Sequence, residues 1–204
     1  MPPASKKKAA EVPLAQQRRE QILAAARECV RRHGFHAASM SEIARSFGMS
    51  AGHIYNYFDS KEAIIAALVA QDLAHFNEMV EELRGTGDIR FALIDQAHHG
   101  VARKMDRDRS RLGMEILAEG ARNPKIDDML QAADSAARDR LRELLGTIAV
   151  PSMTASELDA RVDVLMALFD GLMIRSLRAQ TADQAALVRV IQRCLVTLTD
   201  RNPI

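Results

Sequence analysis

The chain has 204 residues, 48% of them hydrophobic and 27% charged, with no Trp and two Tyr. That balance is ordinary for a globular protein and leaves room for one sizeable domain or a small domain joined to a larger one. No apolar run approaches the roughly 18 residues of a membrane span, and residues 1–13 lack the apolar stretch of a signal peptide, so a cytoplasmic protein without membrane association is expected. Net charge is +1, but residues 1–61 carry ten bases (Lys6, Lys7, Lys8, Arg18, Arg19, Arg27, Arg31, Arg32, Arg45, Lys61) against five acids. A basic first third on a slightly acidic remainder suits a molecule that meets phosphate with one end.

In chain order, residues 1–14 lack periodicity, contain Pro2, Pro3 and Pro13 around the run Lys6-Lys7-Lys8, and read as a disordered basic arm. The run is either a solvated tail or a source of sequence-independent affinity for nucleic acid. A first helix is predicted from about Ala15 to His33, with Ile22, Ala26, Cys29 and Val30 on one stripe and Gly34 as its stop. Ser39-Met40-Ser41-Glu42 then has the form of a capping box and opens a short helix through Ile43, Ala44 and Phe47 that breaks at Gly48. A third helix is predicted from about Ser50 to Tyr57. Asp59-Ser60-Lys61-Glu62 reads as another box, opening a long fourth helix to about Leu83, and Gly85-Thr86-Gly87 reads as a hinge.

Beyond the hinge the pattern is helical over about 88–106, 109–121, 125–147, 155–179 and 182–199, with Thr154/Glu157 and Thr181/Gln184 as boxes at the last two starts. The expectation is an all-α fold: a three-helix helix-turn-helix domain over 15–61, a connecting helix over 62–84 and a larger helical domain over 85–204, about nine helices in all. Cys29 and Cys194 have no second Cys or His at ligand spacing and read as small buried hydrophobes, so no metal site and no cofactor are expected.

A helix-turn-helix needs a bracing helix, a tight turn and a second helix whose N-terminal residues reach base edges. Ser41–Tyr57 supplies all three, with Ile43, Ala44, Phe47 and Ile54 as the shared apolar contact. Ser50, Ala51, Gly52, His53, Tyr55, Asn56 and Tyr57 then form a short polar outward face. Ser39–Leu68 resembles the signature of the TetR family in its Ile43-Ala44 pair, Gly48 turn, Tyr55 and Tyr57, then Phe58 and Lys61-Glu62. The resemblance covers Arg18–Leu68. It implies phosphate contacts by Ser39, Ser50, Tyr55, Tyr57 and Lys61, and base-facing positions at Ala51, Gly52, His53 and Asn56. Asn56 can pair an adenine edge, His53 can donate to guanine and Ala51 can meet a thymine methyl. Phe58 reads as core, Tyr55 as either contact or partly buried, and Glu62 as a cap.

A recognition helix of about eight residues reads few bases, so specificity calls for two copies on a two-fold DNA site. Helix 155–179 carries one stripe of Leu158, Val162, Leu165, Phe169 and Leu172 and a second of Val164, Ala167, Leu168, Gly171 and Ile174, which requires cover on both sides. With Leu187, Val190, Ile191, Cys194 and Leu198 of the last helix, the second stripe is the expected dimer face. The family resemblance implies a four-helix bundle there and an effector cavity inside the second domain. Candidate lining residues are Phe91, Ile94, His98, Val101, Met105, Met114, Leu117, Met129, Met166, Phe169 and Met173, each of which also reads as ordinary core.

Lipophilic cations are held by aromatic faces, yet after residue 61 the only aromatics are Phe76, Phe91 and Phe169, so a neutral or anionic apolar effector is favoured. Gly113–Leu130 is loosely similar to the effector domains of choline-betaine repressor-like members of the family. The expected function is a homodimeric repressor released by a small molecule from a palindromic double-stranded DNA operator. The alternatives are a regulator controlled by a protein partner or by its abundance, and an activator. Asp95, His98, His99, Asp163 and Asp170 form no nucleophile-base or metal arrangement, and no enzyme is expected.

Overall fold

The computed structural model describes residues 14–178, the side chain of His36 excepted, and residues 183–200. The arm with Lys6-Lys7-Lys8 and the proposed cap Thr181 lie outside the described residues. Among the described residues there are ten helices and no strand: α1 Leu14–Ala37, α2 Met40–Ser46, α3 Ala51–Tyr55, α4 Lys61–Arg84, α5 Ile89–Asp95, α6 Ala97–Met105, α7 Arg107–Gly120, α8 Pro124–Ile148, α9 Ala155–Arg178 and α10 Gln184–Leu198. They form two compact units that meet in sequence inside α4, one ending at Ile64 and the other beginning at Ile65.

In the smaller unit α1 buries Ile22, Ala26, Cys29 and Val30, the stripe expected from its 3.6-residue period. Gly34 interrupts α1 with φ 75° and ψ 166°, so the helix bends there and Phe35 turns into the core. Ile43 and Ala44 of α2, Ile54 of α3 and Phe58 complete the packing. The turn between α2 and α3 is a Schellman closure. Gly48 N donates to Arg45 O at 3.1 Å and Met49 N to Ala44 O at 2.9 Å, which requires the left-handed φ of 70° at Gly48. The turn thereby ends one helix and aims the next.

The capping boxes form only in their forward half. Ser39 Oγ accepts from Glu42 N at 3.1 Å, but the Glu42 carboxylate lies 2.9 Å from Arg45 instead of reaching back. Thr154 Oγ1 accepts from Glu157 N at 3.1 Å while Glu157 pairs with Arg161 at 2.7 Å. In both, an arginine three or four residues on offers the carboxylate a charged donor, and a charged donor outcompetes a backbone amide. At α4 the frame moves by one: Ser60 Oγ, not Asp59, accepts from Ala63 N at 3.1 Å. At α10 the cap is Asp183, whose carboxylate accepts from Ala186 N at 3.0 Å.

The larger unit packs α6 and α8 against α9, α7 against α8 and α9, and α10 against α5, α6 and α9. Its core draws on Val80 and Leu83 of α4, Val101 and Met105 of α6, Leu141, Leu144 and Leu145 of α8, Val162, Leu165 and Leu172 of α9, and Ile191 and Leu195 of α10. Val80 and Leu83 explain why most of α4 belongs to this unit. The single helix expected over 88–106 is two, broken at Gln96 (φ −82°, ψ 1°). Carbonyls at the break have side-chain partners: Gln192 Nε2 donates to Ile94 O at 3.1 Å, and His98 Nδ1 lies 2.8 Å from Asp95 O. A carbonyl only accepts, so His98 holds its proton on Nδ1. Tertiary contacts thus outweigh a continuous helical pattern.

Arg161 is buried at the start of α9 and gives two hydrogen bonds to the end of α10, to Leu198 O at 3.1 Å and Asp200 O at 2.8 Å. Its charge complements the negative end of that helix. Close approach of α6 to α9 depends on Gly100, where a Cβ would stand 2.7 Å from Phe169 Cε1, whereas at Gly48 and at Gly171 a Cβ would meet nothing within 4 Å.

These glycines give a separable prediction. Gly48→Ala has room but the wrong φ, and should lower stability by about 1 kcal/mol through the backbone. Gly100→Ala has an ordinary φ but no room, and should lower it by ~1–2 kcal/mol through crowding of Phe169. Thermal unfolding with the circular-dichroism signal of the helices measures both.

Candidate nucleic-acid interface and effector domain

The surface around α3 is built from the turn outward. Ile54 is the one residue of α3 that is fully buried, and burial of such a side chain contributes about 2 kcal/mol. Around that anchor Gly52, His53, Tyr55 and Asn56 are exposed, Tyr55 by 51%, while Ala51 and Tyr57 are half-buried. The sequence-predicted reading residues are therefore brought together on one side of one short helix. His53 and Tyr57 rings stand 5.6 Å apart, centroid to centroid.

Ser39 and Ser50 are exposed and stand at the N-termini of α2 and α3. Each hydroxyl accepts a backbone amide, Glu42 N at 3.1 Å and His53 N at 3.3 Å. An accepting hydroxyl still has its own proton to donate, so both remain able to bind a phosphate oxygen.

Lys61 is placed differently from a free surface cation. Nζ donates to Phe35 O at 2.8 Å and lies 3.9 Å from the centroid of the Phe35 ring, which joins the start of α4 to the end of α1. An ammonium has three donors, so this contact leaves others for solvent or phosphate. Arg19 makes a contact of the same kind: Nη1 donates to Tyr57 O at 2.6 Å and the guanidinium lies 4.2 Å from the centroid of Phe58. Sequence reasoning missed it. Phe58 itself is buried, as its reading as core expects.

Several of the remaining bases are also engaged. Arg31 pairs with Glu28 at 2.6 Å, Arg32 also contacts Glu28, and Arg45 pairs with Glu42 at 2.9 Å. The Arg31 hydrogen bond, with Arg32 adding to it, pulls the Glu28 carboxyl down to about 2. Burial pushes the Cys29 thiol up, so it stays protonated and inert at neutral pH.

In the larger unit the predicted effector residues separate into two groups. Val101 and Met105 are buried, Ile94, Met166 and Phe169 pack on the same core, and Met129 and Met173 are half-buried. Phe91, His98, Met114 and Leu117 are exposed instead. The buried row of α7 runs through Leu112, Ile116, Glu119 and Gly120, which turns Met114 and Leu117 outward. On α5 the buried position is Ala92, and on α6 the buried row is Ala97, Val101 and Met105, which leaves Phe91 and His98 outside the core. An open hollow of about 370 Å³ lies among Thr86, Gly87, Asp88, Ile89, Arg90, Thr147 and Ile148, and none of the predicted lining residues borders it.

The two stripes of α9 also separate. Val162, Leu165 and Leu172 are buried within the unit, whereas Val164 and Ala167 are exposed, Ile174 is 43% exposed and Leu168 and Gly171 are half-buried. On α10 Val190 is exposed by 56%, Leu187, Cys194 and Leu198 are half-buried, and Ile191 is buried at 3%. Ile191 therefore leaves the expected dimer face, because it fills the core of its own subunit beside Leu195. Among the described residues no group of three or more His, Cys, Asp and Glu is placed to hold a metal ion, and no helix is long and apolar enough to cross a membrane.

Comparison with known proteins bears on both units. Residues 22–68 match the profile described as bacterial regulatory proteins, tetR family, and residues 84–198 match that of the tetracyclin repressor-like C-terminal domain. The HTH-type transcriptional regulator UidR of Escherichia coli is 38% identical over 121 residues, which cover 57% of this chain and 59% of that protein. The matched stretch thus spans less than two thirds of that relative. Among solved structures, Salmonella enterica GusR is similar with a TM-score of 0.70 and 25% identity, over 94% of this chain and 100% of that one. The transcriptional regulator FadR of Bacillus subtilis, solved with stearoyl-CoA, shares the fold with a TM-score of 0.73 and 20% identity, over 87% and 97%. UidR and FadR are regulators of transcription. With its helix-turn-helix unit and its helical domain each matched in register, the chain belongs to the TetR family of bacterial regulatory proteins.

Proposed function

We propose that this protein is a sequence-specific DNA-binding regulator of transcription, a homodimeric repressor that a small molecule releases from a palindromic operator. The observation that carries the reading is the exposed polar row Ser50, Gly52, His53, Tyr55 and Asn56 around the single buried anchor Ile54. In a major groove such a row places Asn56 and His53 at base edges, Ala51 against a methyl and Gly52 close to the backbone. Ser39, Ser50, Tyr55, Tyr57 and Lys61 then contact phosphates, which fix register without reading sequence.

The dimer surface is the uncovered stripe of α9, Val164, Ala167, Leu168, Gly171 and Ile174, with Val190 and Cys194 of α10 and the edges of Leu187 and Leu198. Exposed aliphatic side chains on two adjacent helices are the kind of patch that a second copy covers. Two copies place two reading helices on successive turns of DNA, about 34 Å apart.

The effector site is proposed among Ile94, Val101, Met105, Met166, Phe169 and Met173, a Met-rich and adaptable lining. A neutral or anionic apolar ligand suits it, since of the three aromatics beyond residue 61 Phe91 is exposed. The fold neighbour carrying stearoyl-CoA, an apolar chain on an anionic head, is in keeping with that chemistry. Release requires the ligand to bind the non-operator state more tightly, so that the population shifts. One observation favours a second reading, control by a protein partner or by abundance: Phe169 is packed onto Gly100 and occupies space a ligand would need. A thermal-shift screen with acyl-CoAs and small metabolites separates the two.

Selection of bound sequences from a random DNA pool should return a palindrome. On that site Asn56→Ala should relax preference at one base position per half-site by about 1–3 kcal/mol. Lys61→Ala should weaken all sequences alike, lower the salt slope by about one, and, unlike Asn56→Ala, lower the melting temperature of DNA-free protein because Phe35 loses its partner. Equal losses on every sequence from both variants would sink the role given to Asn56. For the dimer, Gly171→Ala is the clean test: it has room within one subunit, so a dissociation constant raised by sedimentation equilibrium, with monomer stability retained, must come from the partner copy.

A further inference from the structure

A five-residue helix with one buried side chain is pinned at a point, not in an orientation. The N-terminal end of α3 is held by the Schellman turn at Gly48 and by the Ser50 cap. At its C-terminal end Ile54 O accepts both Tyr57 N at 2.8 Å and Phe58 N at 3.0 Å, which turns the chain into the loop before α4. The Tyr57 carbonyl lies beyond the last helical residue, where carbonyls lack intrahelical partners. Arg19, 38 residues earlier on α1, supplies the donor at 2.6 Å and rests its guanidinium 4.2 Å from the centroid of Phe58.

We propose that Arg19 is a positioning residue for DNA reading: it fixes the angle of the segment Tyr55-Asn56-Tyr57 on the frame of α1 without touching a base. This rests on the reading of α3 as the recognition helix. Three features of the contact suit such a role. A charged donor to a carbonyl is shorter and stronger than a neutral one. The stacked guanidinium restrains the side chain in a second direction, which a single hydrogen bond does not. The contact joins two elements distant in sequence, so it constrains their mutual orientation. Lys61 makes a contact of the same kind, with Phe35 O at 2.8 Å and the Phe35 ring at 3.9 Å, and joins the start of α4 to α1.

Base-edge hydrogen bonds weaken steeply with misalignment, whereas contacts to phosphates by flexible or rotating groups tolerate it. Loss of the Arg19 contact should therefore fall on specificity. Arg19→Met, which keeps length and apolar stem but removes donor and charge, should weaken the selected operator about tenfold and random-sequence DNA by less than about twofold, with an unchanged salt slope. Arg19→Lys, which can still reach carbonyl and ring, should recover part of the ratio. In DNA-free protein, Arg19→Met should speed amide hydrogen exchange at Tyr57 and Phe58 while that of Ile43 and Ala44 in α2 stays as in the parent chain. Equal weakening of operator and random DNA, with the slope lowered by about one, would show a simple phosphate contact and overturn the proposal. Unchanged exchange at Tyr57 and Phe58 would overturn it as well. If the parent chain selects no DNA site, the reading of α3 falls, and the exchange measurement still decides whether Arg19 holds the segment.

Discussion

The constraint on which the smaller unit depends is the shortness of α3. A helix of five residues closes too few internal hydrogen bonds to offset the cost of nucleation, so alone it would not form. Its conformation comes from outside: a left-handed glycine that ends α2 and aims the chain, a serine cap at one end, Ile54 in the core, and an arginine from α1 at the other end. That economy has a functional side. A helix with a single buried side chain presents nearly every other side chain outward.

Many cations of the basic first third are likewise held by partners inside the unit. Arg31 and Arg32 converge on Glu28, Arg45 is paired with Glu42, Lys61 lies on Phe35 and Arg19 on Phe58. These cations still contribute to a positive field, but their geometry is set by internal partners. The hydroxyls of Ser39 and Ser50, by contrast, are exposed and their placement is fixed by the caps themselves.

How much of this was legible in the sequence follows from what kind of partner each contact uses. Apolar stripes were legible because period is written in residue types: Ile22, Ala26, Cys29 and Val30 are buried, and one of the two stripes of α9 is buried while the other is not. Cap hydroxyls were legible for the same reason, but the reciprocal carboxylates were not, since Glu42 and Glu157 each had a competing arginine one turn away. Ile191 was assigned outward because periodicity gives a face and not its neighbour. Contacts to backbone carbonyls left no trace at all. Arg19 on Tyr57 O and Arg161 on Leu198 O and Asp200 O have partners that every residue carries, so no motif records them. The break at Gln96 belongs to this class too, because Gln192 meets a carbonyl 98 residues earlier.

In the larger unit side chains of α6, α7 and α9 link the interior to α4. Phe169 lies between α6 and α9 against Gly100, and Lys104 of α6 pairs with Asp170, the next residue of α9, at 2.7 Å. A molecule entering among Val101, Met105 and Phe169 would have to move that ring, and α6 is the wall it would press on. At the α6–α7 corner Asp106 caps α7 and the buried Ser110 hydroxyl donates to Lys104 O at 3.1 Å. Both flanks of the corner meet one carboxylate of α4: Arg103 lies 2.8 Å and Arg109 3.7 Å from Asp72. Such exposed pairs add little stability, ~0–1 kcal/mol each. Asp72 thus ties α4 to both flanks of the α6–α7 corner within the larger unit.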